Sequence, residues 1–257
     1  MKIVYHYLMI LSMTCIISFY DYTGYLVEPA AKAGATCFCY DIQHEYWQKD
    51  HPNATVHYPG GGSITYLKAD LTNPKVLLEE LLMEHEQVDF VFGMPVCTDL
   101  AVSGARHFAK KKAADPDFQA KAAVNVIRLK YFADEYDSPY MIENPVSVLS
   151  TWWRKPDYTF HPYEYGGYIP EAEAEHPKWS GYIPDRDAYS KKTCLWTRDF
   201  IMPEKKPVPC DSYGSSLQHR KLGGNSLRTK QIRSATPRGF SYAIVEPNFP
   251  WLQIGGK

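Results

Sequence analysis

Apolar residues in the first half of the chain fall into short runs broken by punctuation, not into one long periodic stripe. Thr14 to Tyr20 is β-branched and aromatic, the composition of a strand buried on both faces, and it stops at Asp21 with Gly24 close behind. Glu28 to Ala33 reads as a helix, with Pro29 in its first turn and Gly34 at its close. Ala35 to Tyr40 is a second apolar strand, ending at Asp41. The order then repeats. Ile64 to Leu67 ends at Asp70, a helix is predicted over Pro74 to Glu86, and the strand Val88 to Phe92 runs into Gly93-Met-Pro-Val-Cys97. A helix from Asp117 to Tyr136 leads to the strand Tyr140 to Ile142, which ends in Glu143-Asn-Pro145. The stretch His51 to Ser63, with Gly60 to Gly62, reads as a surface loop without a function of its own.

Strands alternating with helices predict an α/β fold, a doubly wound and mostly parallel sheet of Rossmann-like kind. Such sheets bind ligands beyond the carboxyl ends of their strands. Asp21, Gly24, Asp41, Asp70, Cys97 and Glu143 all follow predicted strand ends, so one edge of the sheet is expected to collect them. Asp41 is placed to accept ribose hydroxyls, or else simply caps a loop. The first turn lacks the several glycines of a dinucleotide-phosphate loop, so a nucleoside without pyrophosphate suits it better.

Composition adds bounds. A chain of 257 residues, 45% hydrophobic and 22% charged, can bury one substantial core. Beyond Pro145 it becomes rich in Pro, Gly, Tyr and Trp, which predicts a small irregular lobe. A net charge of −1 argues against coating nucleic acid by bulk electrostatics. The distribution is uneven, however: Ser212 to Val245 holds no acidic residue but carries Arg220, Lys221, Arg228, Lys230, Arg233 and Arg238. That stretch is either a phosphate-binding face or a solvated basic tail. Cys15, Cys37, Cys39, Cys97, Cys194 and Cys210 are scattered without zinc-ligand spacing, so no metal is expected and a reduced, cytoplasmic setting fits. Lys2 and the apolar run Ile3 to Ile17 superficially resemble a secretory signal, but a small-residue cleavage site is lacking. The run is also too short and polar to span a membrane.

Candidate chemistry centres on two residues. Cys97 follows Pro95-Val at a strand mouth and precedes a polar, small-residue segment; Arg106 and Lys110 to Lys112 offer the positive potential a thiolate needs. A lone cysteine is more often a small buried hydrophobe than a nucleophile. Glu143 ends an apolar strand, where a carboxyl in a dry pocket keeps its proton, or where Glu-Asn-Pro is only a turn. Trp152, Trp153, Tyr163 and Tyr165 either line a pocket or pack the lobe.

Val88-Asp-Phe-Val-Phe-Gly-Met-Pro-Val-Cys97, with the Thr98 to Gly104 segment, resembles the nucleophile motif of cytosine-C5 DNA methyltransferases. Tyr140-Met-Ile-Glu143-Asn-Pro is similar to their Glu-Asn-Val motif, and Ser18-Phe-Tyr-Asp-Tyr-Thr-Gly24 to their cofactor turn. Asp41 and Asp70 match the acidic residues that hold ribose and adenine. Ser150 to Pro156, Phe160 to Gly167, Lys191 to Trp196 and Thr236 to Phe240 resemble a compact, phage- or prophage-encoded subgroup.

This resemblance implies a class I S-adenosylmethionine-dependent methyltransferase fold. A catalytic and cofactor domain would cover 14–145, and a recognition lobe 146–235, with a returning strand near 192–197. A C-terminal helix and tail, 236–257, would pack on the first domain. It implies Cys97 as nucleophile, Glu143 at N3 of a cytosine flipped from double-stranded DNA, and Lys192 on the strand that touches the base. S-adenosylmethionine would be held by Tyr20, Asp21, Thr23, Gly24, Asp41, Ile42, Asp70 and Pro95. DNA would be contacted by Ser103, Arg106, Lys110, Lys191, Arg220, Arg228 and Arg233. Pro-Val-Cys in place of Pro-Pro-Cys, a single glycine in the cofactor turn and a short lobe depart from the pattern. The short lobe implies weak sequence preference, a tiny target or a helper subunit. Two alternatives stay open: another C5-pyrimidine modification such as hydroxymethyl transfer, and a catalytically silent DNA-binding decoy.

Overall fold

Strands that are apolar on both faces need helices over each side of their sheet, because either face left in water would forfeit the burial. The computed structural model, which describes residues 13–210, 221–223 and 226–252, has this arrangement. Eight strands form one mixed sheet in the order β3-β4-β2-β1-β5-β6-β8-β7. They are β1 (Cys15–Phe19), β2 (Thr36–Asp41), β3 (Thr55–His57), β4 (Ser63–Lys68), β5 (Phe90–Gly93), β6 (Tyr140–Pro145), β7 (Tyr158–Phe160) and β8 (Thr193–Arg198). The run β4-β2-β1-β5-β6 is parallel, and β3 and β8 are reversed against their neighbours.

The α-helices with fully described bounds are α1 (Glu28–Lys32), α2 (Leu81–Glu84), α3 (Phe108–Ala114), α4 (Phe118–Glu135), α5 (Leu149–Trp152), α6 (Leu227–Ser234), α7 (Arg238–Ala243) and α8 (Val245–Asn248). Residues alternate along each strand between two cores. Ile17, Phe19, Val91, Ile142 and Trp196 face α4 through Val126, Leu129 and Phe132. Ile16, Cys39, Phe90, Met141 and Leu195 face α1, α7 and α8 through Ala30, Phe240 and Val245. The sheet is therefore doubly wound. A one-residue slip of any central strand would exchange these faces, which fixes the register.

Several expected boundaries shift for identifiable reasons. β1 ends at Phe19 because Tyr20 takes φ +59°. The helix expected over Pro74 to Glu86 is present and ends at Glu84, its middle a π-helical turn, Val76–Glu80, that runs into the short α2. The loop expected over His51 to Ser63 contains the edge strand β3, paired antiparallel to β4. Its glycines serve close packing: a Cβ on Gly62 would stand 2.2 Å from the Ala31 carbonyl oxygen, and one on Gly60 2.0 Å from that of Lys32. The hairpin thus seats directly on the backbone of α1.

Residues 146–235 are not detached from the N-terminal half, since β7 and β8 extend its sheet. The rest of that segment has a small core of its own, built on Trp179, Ile183, Tyr189, Leu222 and Ile232. Tyr165 is fully buried in the main core, whereas Trp152 is exposed. Arg238 is buried and donates to the Glu173 and Glu175 carbonyls and the Glu173 carboxylate. The Gly239 N–H donates to Asp187 Oδ2 at 2.9 Å. Arg238 thereby leaves the basic face expected from the sequence: it clamps α7 to the 173–187 segment. Among the described residues no helix is long and apolar enough to cross a membrane. Residues 3–12 of the N-terminal apolar run lie outside the described residues.

Replacing Gly62 with Ala should cost about 1–3 kcal/mol by forcing two backbones apart, read as a lowered urea midpoint; an unchanged midpoint would contradict this packing. Burial pushes the Asp187 carboxyl up to about 6. Its folded-state value lies above its ordinary one, so its contribution to stability is complete below about pH 4 and lost as pH rises through about 6. Asp187→Asn should remove that slope, on the order of 3 kcal/mol between the two limits, in urea melts taken at pH 4, 5, 6 and 7.

Candidate active site

The first strand delivers a tight turn to the carboxyl edge of the sheet. Asp21 is buried beneath it: Oδ1 accepts from the Gly24 N–H at 2.8 Å and the Thr23 hydroxyl at 3.3 Å, and Oδ2 from the Ser18 hydroxyl at 2.9 Å. The Asp21 carboxylate therefore organises the turn from below, and Thr23 and Gly24 are held through it. Desolvation pushes it above the usual carboxylate range, against the pull of these donors. Gly24, at φ +70°, could not become a larger residue, since its Cβ would stand 2.4 Å from the Tyr66 hydroxyl.

The next two strand ends supply acceptors. Asp41 Oδ1 takes the Gln43 N–H at 2.8 Å, leaving Oδ2 without a donor among the described residues. Ile42 beside it is half exposed. Asp70 is exposed, with Oδ1 accepting from the Thr72 N–H and hydroxyl. A cleft of about 260 Å³ opens here, lined by Tyr20, Thr72, Pro95, Val96, Phe118 and Asn125 among others. Burial raises the Tyr20 phenol above its ordinary value, with the charges of Asp70 and Asp41 adding to the rise and Arg128 opposing it. The cleft lies where β2 and β5 leave β1 in opposite directions, the switch point at which such sheets bind ligands. Asp41 and Asp70 offer acceptors, and Ile42 and Pro95 apolar surface, a combination that fits a nucleoside.

The neighbouring strand ends bring Cys97 and Glu143 together. Asn144 Nδ2 donates to the Pro95 carbonyl at 3.2 Å, tying the end of β6 to the loop after β5. Ala101 bridges Ser147, the Val102 N–H donates to the Val146 carbonyl, and the Val148 N–H to that of Leu100. The start of the segment after Cys97 is thus pinned. The Cys97 thiol is raised by burial and then by the Glu143 charge, and lowered by Lys191, its own backbone N–H and Arg233. Glu143 is raised by burial, with Lys191 opposing. Its Oε1 is buried and has no hydrogen-bond partner among the described residues. An unpaired buried carboxyl oxygen is costly unless a ligand or a proton satisfies it.

The chain matches no protein-family model and no curated protein.

The expected cationic residues separate. Lys191 is half-buried, donates to the Arg233 carbonyl at 3.4 Å and acts on both Cys97 and Glu143. Lys192 is exposed, and its charge acts on the Cys194 thiol. Ser103, Arg106 and Lys110 are exposed on the segment that follows Cys97. Arg228 stands over the Tyr182 ring, and Arg233 donates to the Leu222 carbonyl. Arg220 lies outside the described residues. Three contributors had no sequence signal strong enough to single them out: Asn144 as the tie to Pro95, and Thr72 and Asn125 in the cleft wall. Asn144 sits inside a quoted motif, and its burial at a strand end was the available clue.

Glu143→Gln removes the like charge beside Cys97, and Lys191→Ala removes the opposite one. Alkylation by iodoacetamide at pH 8 should therefore accelerate several-fold in the first variant and slow in the second, since one unit of pKa is a tenfold change in thiolate at limiting fractions. Equal rates across both variants would show that the charges do not face the thiol.

Proposed function

We propose that this chain is an S-adenosylmethionine-dependent DNA cytosine-C5 methyltransferase of the class I methyltransferase fold. The observation that carries the reading is the Cys97–Glu143 pair at adjacent parallel strand ends, with a raised carboxyl, whose Oε1 is buried and unpartnered among the described residues, acting on a thiol. It sits beside a cleft of about 260 Å³ lined by Tyr20, Thr72 and Pro95, and the charges of Asp70 and Asp41 act on Tyr20 in its wall.

Carbon 5 of cytosine is a weak nucleophile. Addition of the Cys97 thiolate to carbon 6 forms an S–C bond and moves the ring π electrons toward carbon 5. Glu143, whose protonated form is favoured by burial, donates its proton to N3 and so neutralises the charge that develops there. A protonated Glu143 also removes one of the causes that raise Cys97, while Lys191 and Arg233 favour the thiolate. S-adenosylmethionine, held at Tyr20, Thr23, Gly24, Asp41, Ile42, Asp70 and Pro95 with Asp21 shaping the turn from beneath, supplies the electrophilic methyl group. Loss of the carbon 5 proton and expulsion of the thiolate then restore the ring.

The base must leave the duplex, at a cost of a few kcal/mol that pocket contacts offset. The exposed Ser103, Arg106 and Lys110 beside Cys97, with Lys191, Arg228 and Arg233, supply contacts to the phosphates and the strand. Chemistry on DNA with a free thiol suits a reducing cytoplasm, bacterial or phage-infected.

Duplex DNA carrying 5-fluorocytosine should be trapped as a covalent adduct in the presence of S-adenosylmethionine, seen as a shifted band on a denaturing gel. Cys97→Ala should abolish the adduct, and Glu143→Gln should slow its formation by about 10²–10⁴-fold. Absence of an adduct with the unaltered chain, across random-sequence duplexes, would refute the catalytic reading.

A further inference from the structure

Asn125 lies on α4 and lines the cleft beside Tyr20, Thr72 and Pro95. Its side-chain oxygen accepts from Arg128 Nη1 at 2.9 Å, and the same nitrogen donates to the Thr72 carbonyl at 3.3 Å. A guanidinium can only donate, so the amide oxygen must face Arg128, and the NH2 group is what Asn125 has left to offer a ligand. Thr72 closes the other side: its N–H and hydroxyl bond Asp70 Oδ1 at 3.1 and 2.6 Å. With Oδ1 engaged, Asp70 keeps Oδ2 as an acceptor. Arg128 and Thr72 together therefore tie a donor in the cleft wall, the Asn125 amide, to an acceptor just beyond it, the Asp70 carboxylate, which Thr72 holds and whose charge acts on Tyr20.

A donor beside an acceptor complements the edge of adenine, whose N6 amine donates and whose N1 accepts. Hypoxanthine presents the opposite pattern, with an accepting O6 and a donating N1–H. We propose that Asn125, oriented by Arg128, donates to adenine N1 while Asp70 accepts from the N6 amine. The pair thereby selects an adenine nucleoside over its deaminated counterpart. This inference rests on the cofactor reading above and adds a residue from α4 to a site otherwise built from strand ends.

The test is calorimetric titration of the full chain with S-adenosylhomocysteine and with S-inosylhomocysteine. The unaltered chain should bind the adenosyl ligand more tightly by at least about tenfold, because a built hydrogen-bond site rejects a ligand that leaves it unpaired. Asn125→Asp keeps an oxygen for Arg128 and puts a second acceptor where the donor was. The ratio of the two affinities should move toward the inosyl ligand by about tenfold. The ratio cancels any general effect of the added charge on ligand affinity. Asn125→Ala, which only deletes the donor, should lower the ratio as well, and it serves if the carboxylate disturbs α4. A ratio unchanged in both variants, with S-adenosylhomocysteine still bound and the thermal midpoint retained, would overturn the inference and leave the cofactor reading standing. An unaltered chain that binds neither ligand would overturn both.

Discussion

A parallel sheet buried on both faces is the constraint from which the rest of this molecule follows. Its strands cannot turn back on themselves, so each needs a crossover, and the crossover helices cover the two faces. All five parallel strands then end on one edge, and the loops that leave that edge are the parts of the backbone free to vary. Tyr20, Asp41, Asp70, Cys97 and Glu143 gather there because the architecture has a single carboxyl edge, however far apart they lie in the chain. The two apolar cores beneath them supply the rigidity: Phe19, Val91 and Ile142 on one side and Phe92 and Met141 on the other are fully or almost fully buried.

Rigidity at the strand ends permits costly features just beyond them. Glu143 Oε1 is buried without a partner among the described residues, and Tyr20 occupies a left-handed backbone region that favours glycine. Asp21 is buried as a carboxylate whose oxygens are wholly engaged in shaping a turn. Each costs free energy that the sheet and its helices offset, and all three lie within the same edge. The Asn144–Pro95 hydrogen bond and the Ala101–Ser147 bridge hold the β5 and β6 loops as one unit, so the thiol and the carboxyl keep their relation. Electrostatics there is mutual: Glu143 raises Cys97, Lys191 lowers both, and protonating the carboxyl eases ionisation of the thiol.

The last third of the chain has two structural duties. β7 and β8 complete the sheet, and α7 returns to the main core through Phe240 and the buried Arg238. Between them, a small core around Trp179 and Ile232 supports α6, whose C-terminal carbonyl at Arg233 receives Lys191. The same segment therefore carries both the cationic surface and the element that places a cation beside the thiol.

Much of this was legible in the primary structure. The order of strands and helices, the two-sided burial and the positions of Asp41, Asp70, Cys97 and Glu143 at strand ends follow from local patterns: runs of β-branched residues, prolines and glycines, and the residue after each run. Such patterns are set by neighbours in the chain, so they survive without knowledge of the fold. Tertiary structure alone decided which polar groups are free and which are consumed. Arg238 looks like any surface arginine until Glu173 and Glu175 close over it, and Asp21 looks like a ligand until Gly24 and Ser18 occupy its oxygens. Lys191 and Lys192 are adjacent and chemically identical, yet only the first acts on the Cys97–Glu143 pair. Asn125 reached the cleft from a helix face that no motif marked. The physical reason is common to all of them: burial and hydrogen-bond partnership depend on segments tens of residues away, which no local pattern encodes.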